Sequence, residues 1–396
     1  MKTTEYKDSE VGRIPADWKV AQLKDLTDII TGATPSTSIN EYWNGDIPWM
    51  SSGELNMKLV RSVYGRITQK GYDSCGTHMI PPLCVLIGLA GQGKTRGTAA
   101  INYISLCTNQ SIASILPSSY FDSFFLYYWL DNQYYNLRML SAGDGGRGEL
   151  NKQLLLNLWV PLPPLKEQKA IANSLSSIDS LISSLDELIE KKRMIKEGLM
   201  RELLTGKKRL ARFNGEWKQI TLGEYCSIIM GQSPSSTFYN QNGVGLPLIQ
   251  GNSDFENRKS IIRTYTSYIT KTCNQNDTIM SVRAPVGAVG KASSDSCLGR
   301  GVCAFRTDTD FLFYYMQYNE DKWGQFSKGS TFDSINRDDL CAVIISVPPS
   351  KKEEFAICDI LSSFDKDIEQ AISQRDKYLH IKQGMMQELL TGKTRL

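Results

Sequence analysis

The sequence predicts an α+β protein: two globular mixed α/β blocks separated by two long helices that pair as an antiparallel coiled coil, with pseudo-twofold symmetry. Three observations lead there. The chain of 396 residues is written twice. Each copy ends in a tail with heptad spacing. The segments between the tails carry the short β-branched runs and Gly, Pro, Asn and Ser punctuation of strands and turns.

The repeat is clearest at the tail ends. Residues 382–396 read KQGMMQELLTGKTRL and residues 196–210 read KEGLMRELLTGKKRL, eleven of fifteen positions identical at an offset of 186. The offset persists upstream, where Leu175-Ser176-Ser177-Ile178-Asp179 aligns with Leu361-Ser362-Ser363-Phe364-Asp365. At the head of each copy, Trp18-Lys19 through Pro35-Ser36 aligns with Trp217-Lys218 through Pro234-Ser235 at an offset of 199. The middle of the second copy is therefore shorter by about 13 residues. The domain plan is a block at 1–160, a helix at 161–210, a block at 211–347 and a helix at 348–396.

The first tail places Ile171, Leu175, Ile178, Ile182, Leu185 and Ile189 at steps of four and three, the seam of a coiled coil. The second keeps the frame with Ile357, Leu361, Phe364, Ile368 and Leu389. Prolines stand just upstream of each helix. Thr205-Gly206 and Thr391-Gly392 supply the stops, because glycine accepts the left-handed cap conformation. Helices of about 40 residues, about 60 Å long, need a partner for one apolar seam. The nearest partner is the other copy. Lys192, Lys196, Arg375 and Lys382 also fall on the seam. They either fix register as buried polar residues or snorkel outward to water.

In the blocks, strands are expected at residues 84–87, 278–282 and 302–305. Aromatic-rich helices are expected at 124–132 and 311–319. Closing strands are expected at 156–161 and 343–348.

Composition narrows the function. Lys and Arg number 45 against 42 Asp and Glu, so a net charge of +3 gives no global argument for a polyanion. The nine cysteines are odd in number and form no C-x-x-C, which argues for free thiols rather than a disulfide or zinc framework. Two histidines, His78 and His380, lack ligand spacing. No secretory leader or apolar run of membrane-spanning length is seen, so a cytoplasmic protein is expected.

The run Gly88 to Thr95 fits G-x-x-x-x-G-K-[ST] literally. A phosphate-binding loop must open a helix, and here Arg96-Gly97-Thr98 leads instead into β-like residues. The second copy, with Arg283, Gly287, Gly290 and Lys291 near the matching place, is no such loop. The better common reading is close backbone approach at glycine beside the cations Lys94, Arg96, Arg283, Lys291 and Arg300. Arg and Lys suit guanine and phosphate, and Asn and Gln suit adenine. The candidate DNA-contacting residues of the first block are therefore Thr34, Ser36, Tyr42, Trp43, Ser51, Lys94, Arg96, Asn109 and Gln110. Those of the second are Ser233, Ser235, Thr237, Tyr239, Gln250, Asn252, Arg283, Lys291 and Arg300. A run of nine Lys or Arg between 191 and 212 is either a phosphate track or a solvated helix face. No methyltransferase, nuclease or nucleophile motif appears, so no catalytic or metal-ligating residue is nominated.

These parts, in this order, resemble one family: the specificity subunit of type I restriction-modification systems. The resemblance rests on the two W-K-x-x-x-L openings, the two G-x-x-P-S turns, the Leu-Pro-Pro-Leu-Lys-Glu-Gln run at 162–168 and the doubled E-L-L-T-G-K helix ends. It covers essentially the whole chain. It implies two target-recognition domains, each reading one half of a bipartite double-stranded DNA site. It implies that the helices set the gap and dock two methyltransferase subunits, and that a translocating restriction subunit joins them. S-adenosylmethionine, ATP and Mg²⁺ would belong to those partners, with no cofactor in this chain. The second helix departs from the proline-rich approach of the first, with Pro349-Ser350-Lys351 against Pro163-Pro164-Leu165. The alternatives are a P-loop ATPase with a coiled-coil arm and a purely structural coiled-coil adaptor.

Overall fold

The computed structural model describes residues 5–91, 93–140, 150–323 and 334–396. Gln92 of the glycine-rich run lies outside the described residues, as do 141–149 and 324–333 within the two blocks. By packing, the chain divides into two units. One gathers residues 1–184 with 374–396, and the other is residues 185–373.

In the first unit a five-stranded sheet runs in the order Ile29–Thr31, Ile112–Ile115, Val85–Gly88, Ala99–Asn102, Leu59–Val60. Its three central strands are buried at every position. Alternation along a strand sends Val85, Ile87, Ile101 and Ile115 to one face, under the aromatic helix Ser123–Asn132. Leu86, Ala100 and Ile112 go to the other face, with Met50 and Leu55. This is why the apolar runs in the sequence are continuous rather than alternating. A second sheet joins Cys107–Thr108, Trp43–Met50 and Gly65–Ile67.

The second unit repeats the plan. Ser227–Met230, Val302–Arg306, Thr278–Ser281 and Val289–Lys291 are successive neighbours in its main sheet. Met280, Cys303 and Phe305 face the helix Phe311–Tyr318, while Ile279, Val302 and Ala304 face away from it.

The closing strands are shorter than the sequence suggests. Residues 152–156 form a helix capped by Asn151, whose side chain accepts from the Leu154 N–H, and the strand is Trp159–Leu162. In the second unit Asn336 caps Arg337–Cys341 and the strand is Ile344–Val347. Asparagine at the cap satisfies a donor that would otherwise be orphaned, and this tips both segments into a helical turn.

The long helices are Leu165–Leu203 and Lys351–Leu389, 39 residues each. Gly206 and Gly392 follow them with φ of 69° and 70°, as a left-handed stop requires. The seam is not one uniform stripe. Ile171, Leu175 and Leu389 enter the core of the first block, and Ile357 and Leu361 enter that of the second. Ile189 and Ile368 pack with Ala371. Ile178, Ile182 and Leu185 are buried, but Phe364 is only half-buried.

The seam lysines reach across to the opposite helix rather than out to water. In the first unit Lys382 Nζ lies 2.7 Å from Asp179, and the Tyr128 hydroxyl donates to the same carboxylate at 2.8 Å. In the second unit Lys196 Nζ lies 2.6 Å from Asp365, and the Tyr314 hydroxyl donates to it at 2.9 Å. Each of these residues stands 186 positions from its counterpart, so the two locks are copies. Lys192 adds a 2.6 Å pair with Asp367. Partners that rise in number on one helix fall on the other, so within each unit the helix portions run antiparallel. Arg375 pairs with Asp376 of its own helix. Burial, and then the adjacent Asp179, push the Tyr128 phenol well above its ordinary value, which keeps it a donor.

A second reciprocal pair closes the helix ends. Arg395 meets Glu167 and Asp17, and Arg209 grips Glu353 through two nitrogens. No helix among the described residues is long and apolar enough to cross a membrane.

All nine cysteines are free, and only Cys75, Cys226 and Cys341 are not fully buried. Desolvation pushes Cys84, Cys226, Cys273 and Cys358 up to about 12. A thiol reagent acts on the thiolate. Native protein at pH 8 should therefore be labelled first at Cys75 and Cys341, and the rest only on unfolding. Peptide mapping after brief labelling checks this, and early modification of Cys84 or Cys303 would contradict it.

Candidate nucleic-acid interface

The candidate loops converge because of strand register. In the first unit Thr31 pairs with Ala113, and Ile112 pairs with Gly88. The end of Ile29–Thr31, the start of Ile112–Ile115 and the end of Val85–Gly88 therefore share one sheet edge. The parallel pairing of Trp49 and Met50 with Cys107 and Thr108 brings Ser51 and Asn109 out at the same place. That edge collects Thr34, Ser51, Asn109, Gln110 and the loop that bears Lys94 and Arg96.

Backbone contact is close there. A Cβ on Gly32 would lie 1.8 Å from the Thr108 carbonyl oxygen. The Thr34 hydroxyl donates to Gln110 Oε1 at 2.6 Å, and the Asn109 side chain accepts from the Ser111 N–H at 3.1 Å. Trp43 donates to the Ser36 carbonyl and lies edge-on to Trp49, with ring centroids 5.1 Å apart. Ser36 bonds Ser38, and Tyr42 ends the short turn Asn40–Tyr42. Ser51 is occupied in capping: its N–H and hydroxyl both meet Glu54 Oε2.

The second unit builds the same edge. Met230 pairs with Cys303, and Ser281 with Val302. Residues 231–238, 282–288 and 299–301 therefore emerge together. The Ser233 hydroxyl accepts from the Arg300 N–H at 3.0 Å, and Ser235 bonds Thr237. The Tyr239 hydroxyl donates to the Pro234 carbonyl. Leu248 and Ile249 run parallel to Cys297 and Leu298, and this brings Gln250 and Asn252 to the cluster. The side chains of Arg283 and Arg300 are exposed and have no hydrogen-bond or ion-pair partner among the described residues.

Lys291 does not belong to this group. It pairs with Thr278, at the opposite end of the strands from Arg283 and Arg300. Its ammonium meets Asp310 and the Asn276 carbonyl and lies 5.1 Å from the Phe313 ring. Sequence proximity to Gly287 and Gly290 placed it with the loop, but the strand Val289–Lys291 carries it away.

The glycine-rich run closes a hairpin rather than opening a helix. The Gly88 N–H donates to the Thr98 carbonyl and the Gly97 N–H to the Gly88 carbonyl, and the strand Ala99–Asn102 follows. Arg138 and Tyr134 fasten its carbonyls from the side. Lys94 stays exposed and Arg96 half-buried. The basic run at 191–212 is largely committed elsewhere: Lys192, Arg193, Lys196, Lys208 and Arg209 each pair with a carboxylate. Among the described residues no group of three or more His, Cys, Asp or Glu is placed to hold a metal.

Two exposed aromatic features were not anticipated. Tyr64 is 89% exposed beside Gly65, which pairs with Trp49 near Ser51. Tyr268 stacks on Phe238. Neither carries a local sequence signal, because strand pairing alone brings each to its edge.

The family profile described as type I restriction modification DNA specificity domain matches residues 15–192 and 214–375. The chain belongs to that family. A putative type I restriction enzyme specificity subunit, MjaX of Methanocaldococcus jannaschii, is 29% identical over all of this chain and 98% of that one. The MjaVIII specificity subunit of the same organism is 24% identical over all of this chain and 97% of its own. The solved structure of the S subunit of a type I restriction-modification system from M. genitalium shares the fold, with a TM-score of 0.64 and 17% identity over 94% of this chain and 96% of that one. In this specificity family the role is sequence-specific DNA recognition, not catalysis. The subunit works with DNA and with the modification and restriction subunits of its system.

A cation that touches phosphate releases counterions, so its removal lowers the salt dependence of binding. For the assembled complex, Arg300→Ala and Arg283→Ala should each weaken DNA binding and reduce the log–log salt slope by about one. Lys291→Ala should leave the slope unchanged. Fluorescence anisotropy over a salt series measures both, and a slope change at Lys291 alone would reverse the assignment.

Proposed function

We propose that each block of this specificity subunit reads one half of a bipartite DNA site, through the loop cluster at its sheet edge. The observation that carries this reading is the duplication of that cluster. Thr34, Ser51 and Gln110 in one block, and Ser233, Gln250 and Arg300 in the other, occupy loops that register brings together in the same way. Exposed arginines beside hydroxyl and amide groups suit phosphate and base edges.

On this reading the two long helices set the unread gap between half-sites and dock two methyltransferase subunits, and a translocating restriction subunit joins the assembly. S-adenosylmethionine, ATP and Mg²⁺ act in those partners, in the cytoplasm. Base chemistry then requires flipping by a partner methyltransferase.

Exchange of residues 1–160 for the matching block of another family member tests the proposal. Methylated sites, read by sequencing after co-expression with the methyltransferase, should change in one half only. A change in both halves would sink the idea of independent reading. An ATPase reading has no support from the hairpin geometry of the glycine-rich run.

A further inference from the structure

The second block carries an exposed aromatic stack on the loop that bears its candidate contacts. Phe238 and Tyr268 lie with ring centroids 5.2 Å apart and planes 26° from parallel, 43% and 55% exposed. Exposed stacked aromatics lose solvation benefit unless something covers them, and an apolar patch at a polar rim marks a binding surface.

The backbone under both rings is fixed while the rings face solvent. The Phe238 N–H donates to the Ser235 carbonyl at 3.0 Å, and the Ser267 N–H donates to the Phe238 carbonyl at 3.1 Å. The Thr266 hydroxyl donates to the Tyr268 carbonyl at 3.1 Å. Thr270 donates to the Gln232 carbonyl, which ties the segment bearing Tyr268 to the loop bearing Ser233. Rigid aromatic rings give contact area with little loss of side-chain freedom.

Charge selects the occupant. Residues 225–253 and 264–276 contain no Asp or Glu. The same edge presents the unpaired guanidinium groups of Arg283 and Arg300. A polyanion meets no carboxylate on these loops. The matching turn of the first block, three residues past Ser36 as Phe238 is past Ser235, carries Ile39 instead.

We propose that the Phe238–Tyr268 stack is a specificity-determining contact of the second block. It is an apolar platform laid against the C5 methyl groups of thymine in the half-site that this block reads, the one feature of the major groove that an apolar surface recognises. The inference rests on the reading of the chain as a two-block DNA reader and assigns one contact within it.

The test uses the complex reconstituted with its methyltransferase. Sequencing of methylated sites first defines the wild-type recognition sequence. If no sequence is methylated selectively, the two-block reading itself fails. Phe238→Ser with Tyr268→Ser should then relax preference at thymine-containing positions of one half-site by about tenfold, the scale of one mismatched base pair. The other half-site should stay unchanged. Unaltered preference, or relaxation in the other half-site, would each overturn the proposal.

Should the double variant fail to fold, wild-type complex and modified DNA give the same answer. Uracil in place of thymine at those positions should weaken binding severalfold, and equal affinity for both bases would overturn the proposal.

Discussion

Replacing Arg395 with alanine should destabilise the first unit by about 3 kcal/mol, the low end of what removal of one partner from a buried pair costs. Glu167 is 5% exposed and holds two partners, the Arg395 guanidinium and the Trp18 indole N–H. Without the arginine its carboxylate stays buried with only the indole. The mirror substitution in the second unit, Arg209→Ala, strands Glu353, which is 1% exposed, and should cost a similar amount. Lys208 meets Glu202 at 3.7 Å with both side chains exposed, so Lys208→Ala should change stability by less than about 1 kcal/mol. Denaturant midpoints followed by circular dichroism measure all three. Equal midpoints for the Arg395 and Lys208 variants would refute the buried-pair account.

The same clamp has an acid signature. Arg395 holds the Asp17 carboxyl below its ordinary 3.8. A depressed carboxyl contributes stability above its unfolded value, and that contribution fades as pH falls through the lower folded value. The Arg395 variant should lose this part of the acid dependence.

Gly32→Ala should be the most damaging small change at the candidate edge of the first block. The added methyl would lie 1.8 Å from the Thr108 carbonyl oxygen, and at Gly231 the same change meets the Gly299 oxygen at 2.1 Å. Both obstacles are backbone, so strands must move apart. A cost of about 3 kcal/mol, the upper part of the overpacking range, is expected for each. The displacement also breaks the approach of Thr34 to Gln110. Recognition of one half-site should therefore fail in Gly32→Ala, and of the other in Gly231→Ala. Gly76→Ala, where nothing lies within 4 Å, should be silent. Methylated-site sequencing reports the outcome, and wild-type recognition by either variant would show that the edge tolerates displacement.

The helices were legible in the sequence because their information is local and periodic. Ile171 to Ile189 repeat at steps that only a helix brings to one side, and glycine marks each stop. The fate of the seam was less legible. Ile171 and Leu361 satisfy the same periodicity as Ile189, yet they pack into block cores that the pattern does not register. The lysines at 192, 196 and 382 were ambiguous until their aspartate partners, far away in sequence, stood opposite.

The recognition edges were half legible. Glycine, hydroxyl and cationic residue types marked loops that strand register brings to one edge of each block. Which loops meet depends on pairing between strands such as Ile29–Thr31 and Ile112–Ile115, remote in sequence. Lys291, near Gly287 in sequence, lies at the far end of its strand for that reason, and Tyr268 meets Phe238 without any local signal.

The first unit is assembled from residues 1–184 and 374–396, whereas the second is one unbroken stretch. During synthesis the ribosome must make all of residues 185–373 before Leu389 and Leu390 can reach the core that contains Trp18 and Leu175. At about 5–20 residues per second that is a wait of roughly 10 to 40 seconds. The block made first is thus finished last. Its apolar helix-facing surface stays open to chaperones, or to mispairing, until translation has passed through the other unit.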